Sequence, residues 1–241
     1  MLRNRFVLVS ICICAVALIA GCAPVRHLPR HFDRTNPVRR VAILPMKNDT
    51  SDVEGPNLVR KKMSDMLQER AYVVKDAAEV EQILRDRMGI TLGGQLEMTT
   101  ARILGETLGV DGVLYGTLMD FDETSTGFYN VRKVRATFKL INTMTEQAVW
   151  SNGLGVKSEV RMAGRTGSVA TLAARGADAR DKEVPWVIID SIVTNENNVG
   201  QSLALNLGAK MLTKAIGIHL DYESSELARR VTQNMPWGPG P

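Results

Sequence analysis

The chain of 241 residues carries 30 basic and 26 acidic side chains, so its formal net charge at neutral pH is only +4. A charge this close to zero gives no basic face of the kind that binds nucleic acid, and we expect no nucleic-acid partner. Hydrophobic residues make up 44% of the chain, which is sufficient for the core of one domain with room for a small second lobe.

The first 21 residues have the order of a secretory signal: a positive start, an apolar stretch from Phe6 to Ala20, and small residues before a cysteine. The apolar stretch is too short for a comfortable membrane span. Its last residues, Leu18–Cys22, resemble the lipobox of bacterial lipoproteins. The resemblance implies cleavage between Gly21 and Cys22, diacylation of the Cys22 sulfur and acylation of the new amino group, for example by palmitate. The alternatives are an ordinary signal peptide and a short uncleaved anchor.

Cysteine usage agrees with export. Cys12 and Cys14 lie inside the segment to be removed, so the mature chain keeps only Cys22, whose sulfur would carry lipid. No disulfide framework and no thiol-based metal or redox site is then expected. Ala23 stands where retention in the inner membrane would favour Asp. By analogy with lipoprotein sorting rules, we expect the protein at the periplasmic face of the outer membrane.

Residues 22–38 form the next segment, with three prolines and little apolar content, which predicts an extended tether before a domain that begins at Arg39. Basic residues crowd this tether and the start of the domain: Arg26, His27, Arg30, His31, Arg34, Arg39 and Arg40. They either contact anionic headgroups or remain part of a solvated linker.

The first part of the domain has the pattern of alternating strands and helices. We expect strands at Val41–Leu44 and Tyr72–Val74, and helices at Pro56–Arg70, Ala77–Met88 and Ala101–Leu108. Val41–Leu44 is a continuous apolar run, which is typical of a parallel strand buried on both faces. Asp76 and Thr100 are predicted N-caps, and Gly89 and Gly109 are predicted to end the helices that follow them.

The second part changes to alternation with a period of two. Gly112–Phe121 predicts a long strand, and Val131–Asn142 places apolar and basic residues on opposite faces. A turn at Thr143–Glu146 and a return at Gln147–Val156 predict an antiparallel hairpin. The fold class is therefore α/β or α+β, with a mixed sheet covered by helices.

The C-terminal third is less regular. Arg161–Glu183 is small and polar, and we interpret residues 161–183 as a mobile insertion. Pro185–Val193 and Gly200–Ile218 are predicted helices, of which the second would cover the sheet. The domain is predicted to end at residue 220, and residues 221–241 to form a polar tail rich in Pro and Gly whose end, from Asn234, is frayed.

No catalytic, cofactor-binding or metal-ligating constellation stands out in the chain. His27 and His31 are four residues apart, but Pro29 between them opposes a helix, and His219 is far away in the sequence. Neither a G-x-S-x-G elbow nor a P-loop is present. Asp120 and Asp122 share one face of a strand, where they either hold a cation or end the strand in solvent, and we favour the second interpretation.

Two further features have a functional and a structural interpretation. The polar loop Asn48–Asp52 follows the first strand, at the edge where open α/β sheets bind ligands. We favour the simpler interpretation that its side chains make turns and caps. Trp150 and Trp186 are candidate interface residues, because buried aromatic side chains dominate many interfaces. A position in the core is the alternative for both.

Several segments in the same order resemble the lipoprotein family known from a meningococcal genome-derived antigen: Arg40–Thr50, the helix after it, Ala71–Val74, Gly109–Gly116 and Thr145–Trp150. That family is similar in fold to the TolB N-terminal domain and, more distantly, to CsgG and LpoB. The resemblance covers about residues 38–160 plus a terminal helix. It implies a helix-covered mixed sheet and the role of an auxiliary envelope lipoprotein, sometimes labelled an accessory of an ABC-type transport system, and it transfers no catalytic residues.

The favoured function is therefore a non-enzymatic outer-membrane lipoprotein that needs no cofactor and docks envelope proteins or other lipoproteins. It would reach the membrane through its lipid anchor and form a homodimer or a higher homo-oligomer. One alternative is a CsgG-like secretion pore subunit, which would need two hairpins with apolar outward faces. The other alternative is an envelope hydrolase, but the sequence contains no catalytic motif that supports it.

Overall fold

The computed structural model describes residues 31–125, 129–162, 184–194 and 220–240. The leader, Cys22, the predicted helix Gly200–Ile218 and most of the predicted insertion lie outside these residues. The described strands and helices are, in order, β1 (Arg40–Ile43), β2 (Lys47–Asn48), α1 (Gly55–Glu69), β3 (Val73–Val74), α2 (Ala77–Met88), α3 (Ala101–Leu108), β4 (Gly112–Ser125), β5 (Tyr129–Asn142), β6 (Ala148–Met162), β7 (Trp186–Thr194) and α4 (Asp221–Val231). Short 3₁₀ helices at Gly93–Met98 and Thr232–Asn234 are also present.

The parallel part of the sheet has β1 at its centre. β1 lies between β3 and β4 and is parallel to both, with Val41 opposite Val74 on one side and Gly112 on the other. Val41 and Ala42 point to opposite faces, and both are fully buried. The predicted parallel sheet with helices on both faces is therefore confirmed.

Helices α2 and α3 begin and end at the residues that the sequence predicts. Asp76 accepts a hydrogen bond from the Glu79 backbone N–H at 3.1 Å, and Thr100 accepts one from the Ile103 N–H at 3.3 Å. Each side chain satisfies a donor that the helix itself leaves unpaired. Gly89, after α2, has a φ of +67°, a left-handed conformation that costs glycine little.

The antiparallel part is built from longer strands. The order across the sheet is β3-β1-β4-β5-β6-β7, with β2 paired to the middle of β4. β5 is antiparallel to both β4 and β6, and the three strands span 14, 14 and 15 residues, which confirms the predicted hairpin. A bulge between Leu118 and Asp120 shifts the register of β4 against β5.

Two apolar clusters cover the two faces of the sheet. On one face, α1 and α4 bury Val59, Met63, Leu67, Leu227 and Val231 against β4, β5 and β6. On the other face, α2 and α3 bury Val80, Leu84, Leu104 and Leu108 against β1 and the start of β4. The two faces together therefore form a three-layer α/β/α arrangement around the parallel strands.

The prediction of a helix at Pro185–Val193 is wrong. Trp186–Thr194 is strand β7, which pairs with β6 in parallel, Gly155 opposite Trp186 and Val156 opposite Val187. The segment contains five β-branched apolar residues: Val187, Ile188, Ile189, Ile192 and Val193. Their restricted χ1 rotamers favour an extended strand over a helix, and this preference decides the conformation once β6 offers a free edge.

The predicted ends of the domain are also wrong. The predicted tail begins with helix α4, whose Leu227, Ala228 and Val231 are fully buried on the sheet. The expected fraying from Asn234 is contradicted by Met235, which is 2% exposed, and by contacts described below. At the other end the tether does not continue to residue 38, because Asn36 and Val38 are already buried. Tertiary contacts order both ends, and a composition rich in Pro, Gly and polar residues does not reveal such contacts.

Candidate functional site

A cleft of about 520 Å³ opens at the carboxyl ends of β1 and β3, between α1 and the first turn of α2. Strand ends and a helix N-terminus meet here, which is the usual place for ligands in open α/β sheets. Its charged lining has both signs, from Arg60, Lys61 and Lys75 and from Asp65, Asp76 and Glu81. The cleft is therefore polar and close to neutral.

Arg60 is the most buried charged group of the cleft, with 4% of its surface exposed. Its Nε and Nη2 donate to the carbonyl oxygen of Ile43 at 3.0 and 2.6 Å, and its Nη1 donates to a carboxylate oxygen of Glu81. Burial lowers the pKa of Arg60, while the charge of Glu81 opposes this change. The guanidinium thus ties the end of β1 to α2.

Two further charged groups around the cleft, Lys75 and Asp76, are also engaged within the fold. Lys75 binds Glu79 at 2.6 Å, and Asp76 caps α2. The arrangement stabilises the junction of strand ends and helix start, and it leaves a recess large enough for a small polar molecule.

The loop Asn48–Asp52 uses its own side chains to make turns. The Asn48 Oδ1 accepts from the backbone N–H and the hydroxyl of Thr50, at 3.0 and 2.7 Å. The Asp52 Oδ1 accepts from the backbone N–H groups of Glu54 and Gly55, at 2.9 and 2.7 Å, where α1 begins. The structural interpretation of this loop is therefore confirmed.

Trp186 lies half-buried at the start of β7 on a charged part of the sheet. The Arg135 guanidinium carbon is 5.0 Å from its ring centroid, and the Lys157 Nζ is 4.5 Å away, both in cation–π geometry. Arg135 also donates to Asp120 at 2.6 Å, and Lys133 lies 3.8 Å from the same carboxylate. Asp120 is thus neutralised by two cations and does not form a cation site with Asp122, whose carboxylate accepts from Thr124.

Trp150, in contrast, lies in the apolar core. Its side chain is 8% exposed and belongs to the apolar cluster beneath α1 and α4. The two tryptophans that the sequence pairs as interface candidates are therefore not brought together. Trp150 fits the core alternative, and only Trp186 presents part of its ring at a polar surface.

The two ends of the domain meet in a feature that the sequence analysis missed. We call it the chain-end clasp; it consists of His31–Asn36, Arg70–Tyr72 and Met235–Gly240. The Asp33 N–H donates to the Gly238 carbonyl at 3.1 Å, and the Gly238 N–H donates to the Arg70 carbonyl at 2.8 Å. The Asn36 amide donates to the Tyr72 hydroxyl and to the Trp237 carbonyl, both at 2.9 Å.

Trp237 is the central aromatic side chain of the clasp. Its ring lies edge-on to His31 at a centroid distance of 5.5 Å, and the Arg70 guanidinium lies 5.0 Å above it. Arg70 also donates to the Met235 carbonyl at 2.6 Å. Burial raises the pKa of the Tyr72 hydroxyl, which donates to the Pro236 carbonyl. A large aromatic between two prolines in a segment expected to fray was the available sequence signal.

The remaining predicted residues are outside the described ranges or take other roles. Gly21, Cys22, His27 and His219 are outside those ranges. Across residues 31–125, 129–162, 184–194 and 220–240, no three His, Cys, Asp or Glu side chains are grouped so that they could hold a metal ion. No helix in that part of the chain combines the length and apolar content of a membrane span.

These features define a class of protein: a three-layer α/β domain with a mixed sheet and joined chain ends, preceded in the sequence by the segment Leu18–Cys22 that resembles a lipobox. Residues 31–176 match the family described as "Putative lipoprotein GNA1162-like". The chain belongs to this GNA1162-like lipoprotein family, which confirms the resemblance found in the sequence.

Individual relatives agree with this assignment. The chain is 25% identical over 117 residues to a protein of Neisseria meningitidis serogroup B that is also described as a putative lipoprotein. That match covers 48% of this chain and 54% of the relative, so the chain spans about half the length of the curated relative it matches.

Solved structures are similar to parts of the chain. The crystal structure of lipoprotein GNA1162 from N. meningitidis is 21% identical, with a TM-score of 0.47 over 59% of this chain and 97% of that one. A PelC dodecamer from Paraburkholderia phytofirmans gives 19% identity and a TM-score of 0.35, over 59% and 86% of the two chains. The LpoB C-terminal domain from Escherichia coli gives 14% and 0.35, over 58% and 90%.

Proposed function

We propose that the mature chain is an acylated, periplasmic lipoprotein of the outer membrane that serves as a non-enzymatic accessory or assembly factor of an envelope protein complex. An ABC-type transport system is one candidate for that complex. The observation that carries the proposal is the order of two features: a Leu18–Cys22 lipobox is followed, nine residues later, by a domain of a lipoprotein family.

Acylation of Cys22 is the first step to test. Mass spectrometry of the membrane-extracted protein should find a mature N-terminus at Cys22 with added acyl mass, and Cys22→Ser should abolish both this mass and the cleavage. Cys14→Ser is the matched control, because it removes a thiol from the same leader outside the lipobox. A wild-type protein that stays in the membrane without acyl mass would contradict the proposal.

The choice of membrane rests on Ala23. The wild-type protein is expected in outer-membrane fractions of a density gradient, and Ala23→Asp should move it towards the inner membrane. Ala23→Ser should leave the distribution unchanged, since it does not introduce the acidic residue. An inner-membrane location of the wild type would refute this part of the proposal while leaving acylation intact.

A docking role is supported by the charged surface around Trp186. A half-buried aromatic flanked by two cations can contribute strongly to an interface, because a partner that covers it strengthens both cation–π contacts. We expect a photo-crosslinker at Ile188, which is 42% exposed beside Trp186, to capture a defined envelope protein in intact cells. A crosslinker at the exposed Met144 is the control, and equal capture at both positions would argue against this surface.

The pore-subunit alternative is less consistent with the same region. The apolar face of β5 is covered by α1 and α4, and the opposite face carries Lys133 and Arg135, which both pair with Asp120. A self-association role remains part of the proposal. Sedimentation velocity of the detergent-solubilised protein should detect a dimer or higher oligomer, and a monomer across the accessible concentration range would exclude it.

A further inference from the structure

The two edges of the parallel sheet differ in chemistry. At the carboxyl edge, where β1 and β3 end, basic and acidic side chains surround the cleft in equal number. At the amino edge, where β1, β3 and β4 begin, exposed arginines lie next to the partly exposed rings of Phe32 and Trp237. The registers of Arg40 with Val73 and of Val41 with Gly112 show that the three strands start at this same edge.

The basic residues of the amino edge are Arg34, Arg39 and Arg40, and all three are exposed. Arg40 binds Asp111 at 3.3 Å, with 59% of its side chain still accessible. Of the salt bridges between described residues, none involves Arg34 or Arg39. Asp33 and Asp111 lie beside these arginines, but the basic residues outnumber them, so the edge keeps an excess of positive charge.

Aromatic side chains accompany these arginines through the chain-end clasp. Phe32 is 38% exposed and contacts the tail near Gly240, and Trp237 is half-buried beside His31. The clasp holds them at the amino edge because Asn36 joins Trp237 to Tyr72, the residue directly before β3. Arginine with Trp and Phe on one surface is the composition that favours a lipid–water interface.

The chain arrives at this same edge from its anchor. His31 is nine residues after Cys22, and nine extended residues span at most about 30 Å. The attachment therefore limits the distance between His31 and the surface in which acyl chains at Cys22 would lie to about 30 Å. This step rests on the proposed acylation; the charge and the aromatic residues of the edge do not.

We propose that the amino edge, consisting of Phe32, Arg34, Arg39, Arg40 and Trp237, docks on an anionic phospholipid surface. Docking turns the carboxyl edge and its cleft away from the bilayer. The lipid anchor supplies attachment, and the amino edge supplies orientation. The occupant is a phospholipid bilayer because the positive charge is spread along an edge beside partly exposed rings and is not gathered in a pocket that could enclose one phosphate.

The direct test uses the mature chain with Cys22→Ser, so that acyl chains do not contribute. At low salt this protein should co-sediment with vesicles of mixed phosphatidylglycerol and phosphatidylcholine at least tenfold more strongly than with phosphatidylcholine alone, since each basic residue near such a surface strengthens binding about fivefold. Arg34→Glu with Arg39→Glu should remove this preference. Lys47→Glu with Lys61→Glu, the same charge change at the carboxyl edge, should retain it to within about twofold.

An equal loss in both double variants would show a general charge effect and overturn the proposal, as would the absence of any preference in the parent protein. Circular dichroism confirms that the variants are folded, and Arg34→Gln with Arg39→Gln gives a milder version of the same test. Neither result depends on acylation, so failure here leaves the Cys22 experiment unaffected, and the reverse is also true.

Orientation is tested with the lipidated protein in vesicles that contain brominated phosphatidylcholine. The Trp186→Phe variant, which retains Trp237 and the buried Trp150, should lose fluorescence to the bromine atoms. The Trp237→Phe variant, which retains Trp186 and Trp150, should lose much less. Equal quenching in the two variants, or stronger quenching of Trp186, would contradict the proposed orientation.

Discussion

The parallel and antiparallel parts of the sheet satisfy their polar groups in different ways. In the parallel part, Asp76 and Thr100 pair donors at the helix starts. In the antiparallel part, the residue that precedes α4, Leu220, has a φ of +56° and provides no side-chain cap. The described residues contain six buried side-chain nitrogen or oxygen atoms without a hydrogen-bond partner. Five of these atoms lie in the antiparallel part, on Asn130, Arg132, Ser158, Glu223 and Ser224.

This difference shows where each part obtains its specificity. Caps act between residues three positions apart, so a short sequence specifies them completely. Glu223 and Arg132, in contrast, are 3.3 Å apart in space and far apart in the chain, and Glu223 is 1% exposed. Such a pair forms only after α4 has docked on β5. We therefore expect changes in the antiparallel part to depend on tertiary partners, and changes at the caps to stay local.

The largest change in the free energy of unfolding should come from truncating a buried side chain in either of the two apolar clusters that cover the sheet. Phe138→Ala in β5 and Leu84→Ala in α2 each remove a fully packed side chain, and each should lower the free energy of unfolding by about 3–5 kcal/mol. If the two parts unfold cooperatively, both variants shift one urea transition detected by circular dichroism and by tryptophan fluorescence. Two separated transitions would mean that the parts are independently stable.

The effect of a substitution in the buried Arg132–Glu223 ion pair should depend on whether the tertiary partner is still present. Arg132→Met leaves the Glu223 carboxylate buried without its cation and should cost about 3 kcal/mol in urea unfolding. Adding Glu223→Leu should recover most of this loss, because the charge is removed together with its partner. The control is Arg102→Met, whose exposed pair with Glu146 contributes at most about 0.5 kcal/mol. A double variant as unstable as the single one would refute the argument.

A smaller and local effect is expected at the α2 cap. Asp76→Ala removes the acceptor of the Glu79 N–H and should lower the free energy of unfolding by about 1 kcal/mol, without changing the cooperativity of the transition. Gln82→Ala, an exposed position of the same helix, should change it by less than about 0.5 kcal/mol. A cap variant that also lost β5–β6 structure, seen by hydrogen exchange, would remove the distinction between the two parts.

The smallest effect is a pH dependence within α4. Hydrogen bonds from Arg229 and then Arg230 lower the pKa of Glu226 below its ordinary value of 4.5. Because the pKa is lower in the folded protein, the carboxylate stabilises it above pH 4.5, and this contribution is lost as pH falls through the folded pKa. The difference in stability between the wild type and Glu226→Gln, measured by urea unfolding at several pH values, should thus shrink in acid, and a difference that stays constant would contradict the argument.

The sequence predicted the elements of the parallel part closely. Val41–Leu44, the caps at Asp76 and Thr100, and the turn-forming loop Asn48–Asp52 all have the predicted structure, since each depends on contacts within a few residues. Prediction failed at Trp186–Thr194, where an apolar run fits a helix or a strand, and β6 decides between them.

The candidate sites also differ in whether they could be predicted from the sequence. Acylation of Cys22 stays a prediction from the linear order of Leu18–Cys22, a lipobox resemblance that was visible in the sequence. The cleft around Arg60 was not, because it needs the ends of β1 and β3 and two helices at once.

By itself, the sequence determined the period of each early element and the class of fold, because hydrophobic periodicity and capping act over short distances along the chain. Only the tertiary structure decided that Trp150 is core while Trp186 faces a charged surface, and that Trp237 closes the domain against His31 and Arg70. The physical reason is that burial and charge pairing depend on which distant segments meet, and the closing contacts join residues about 200 positions apart.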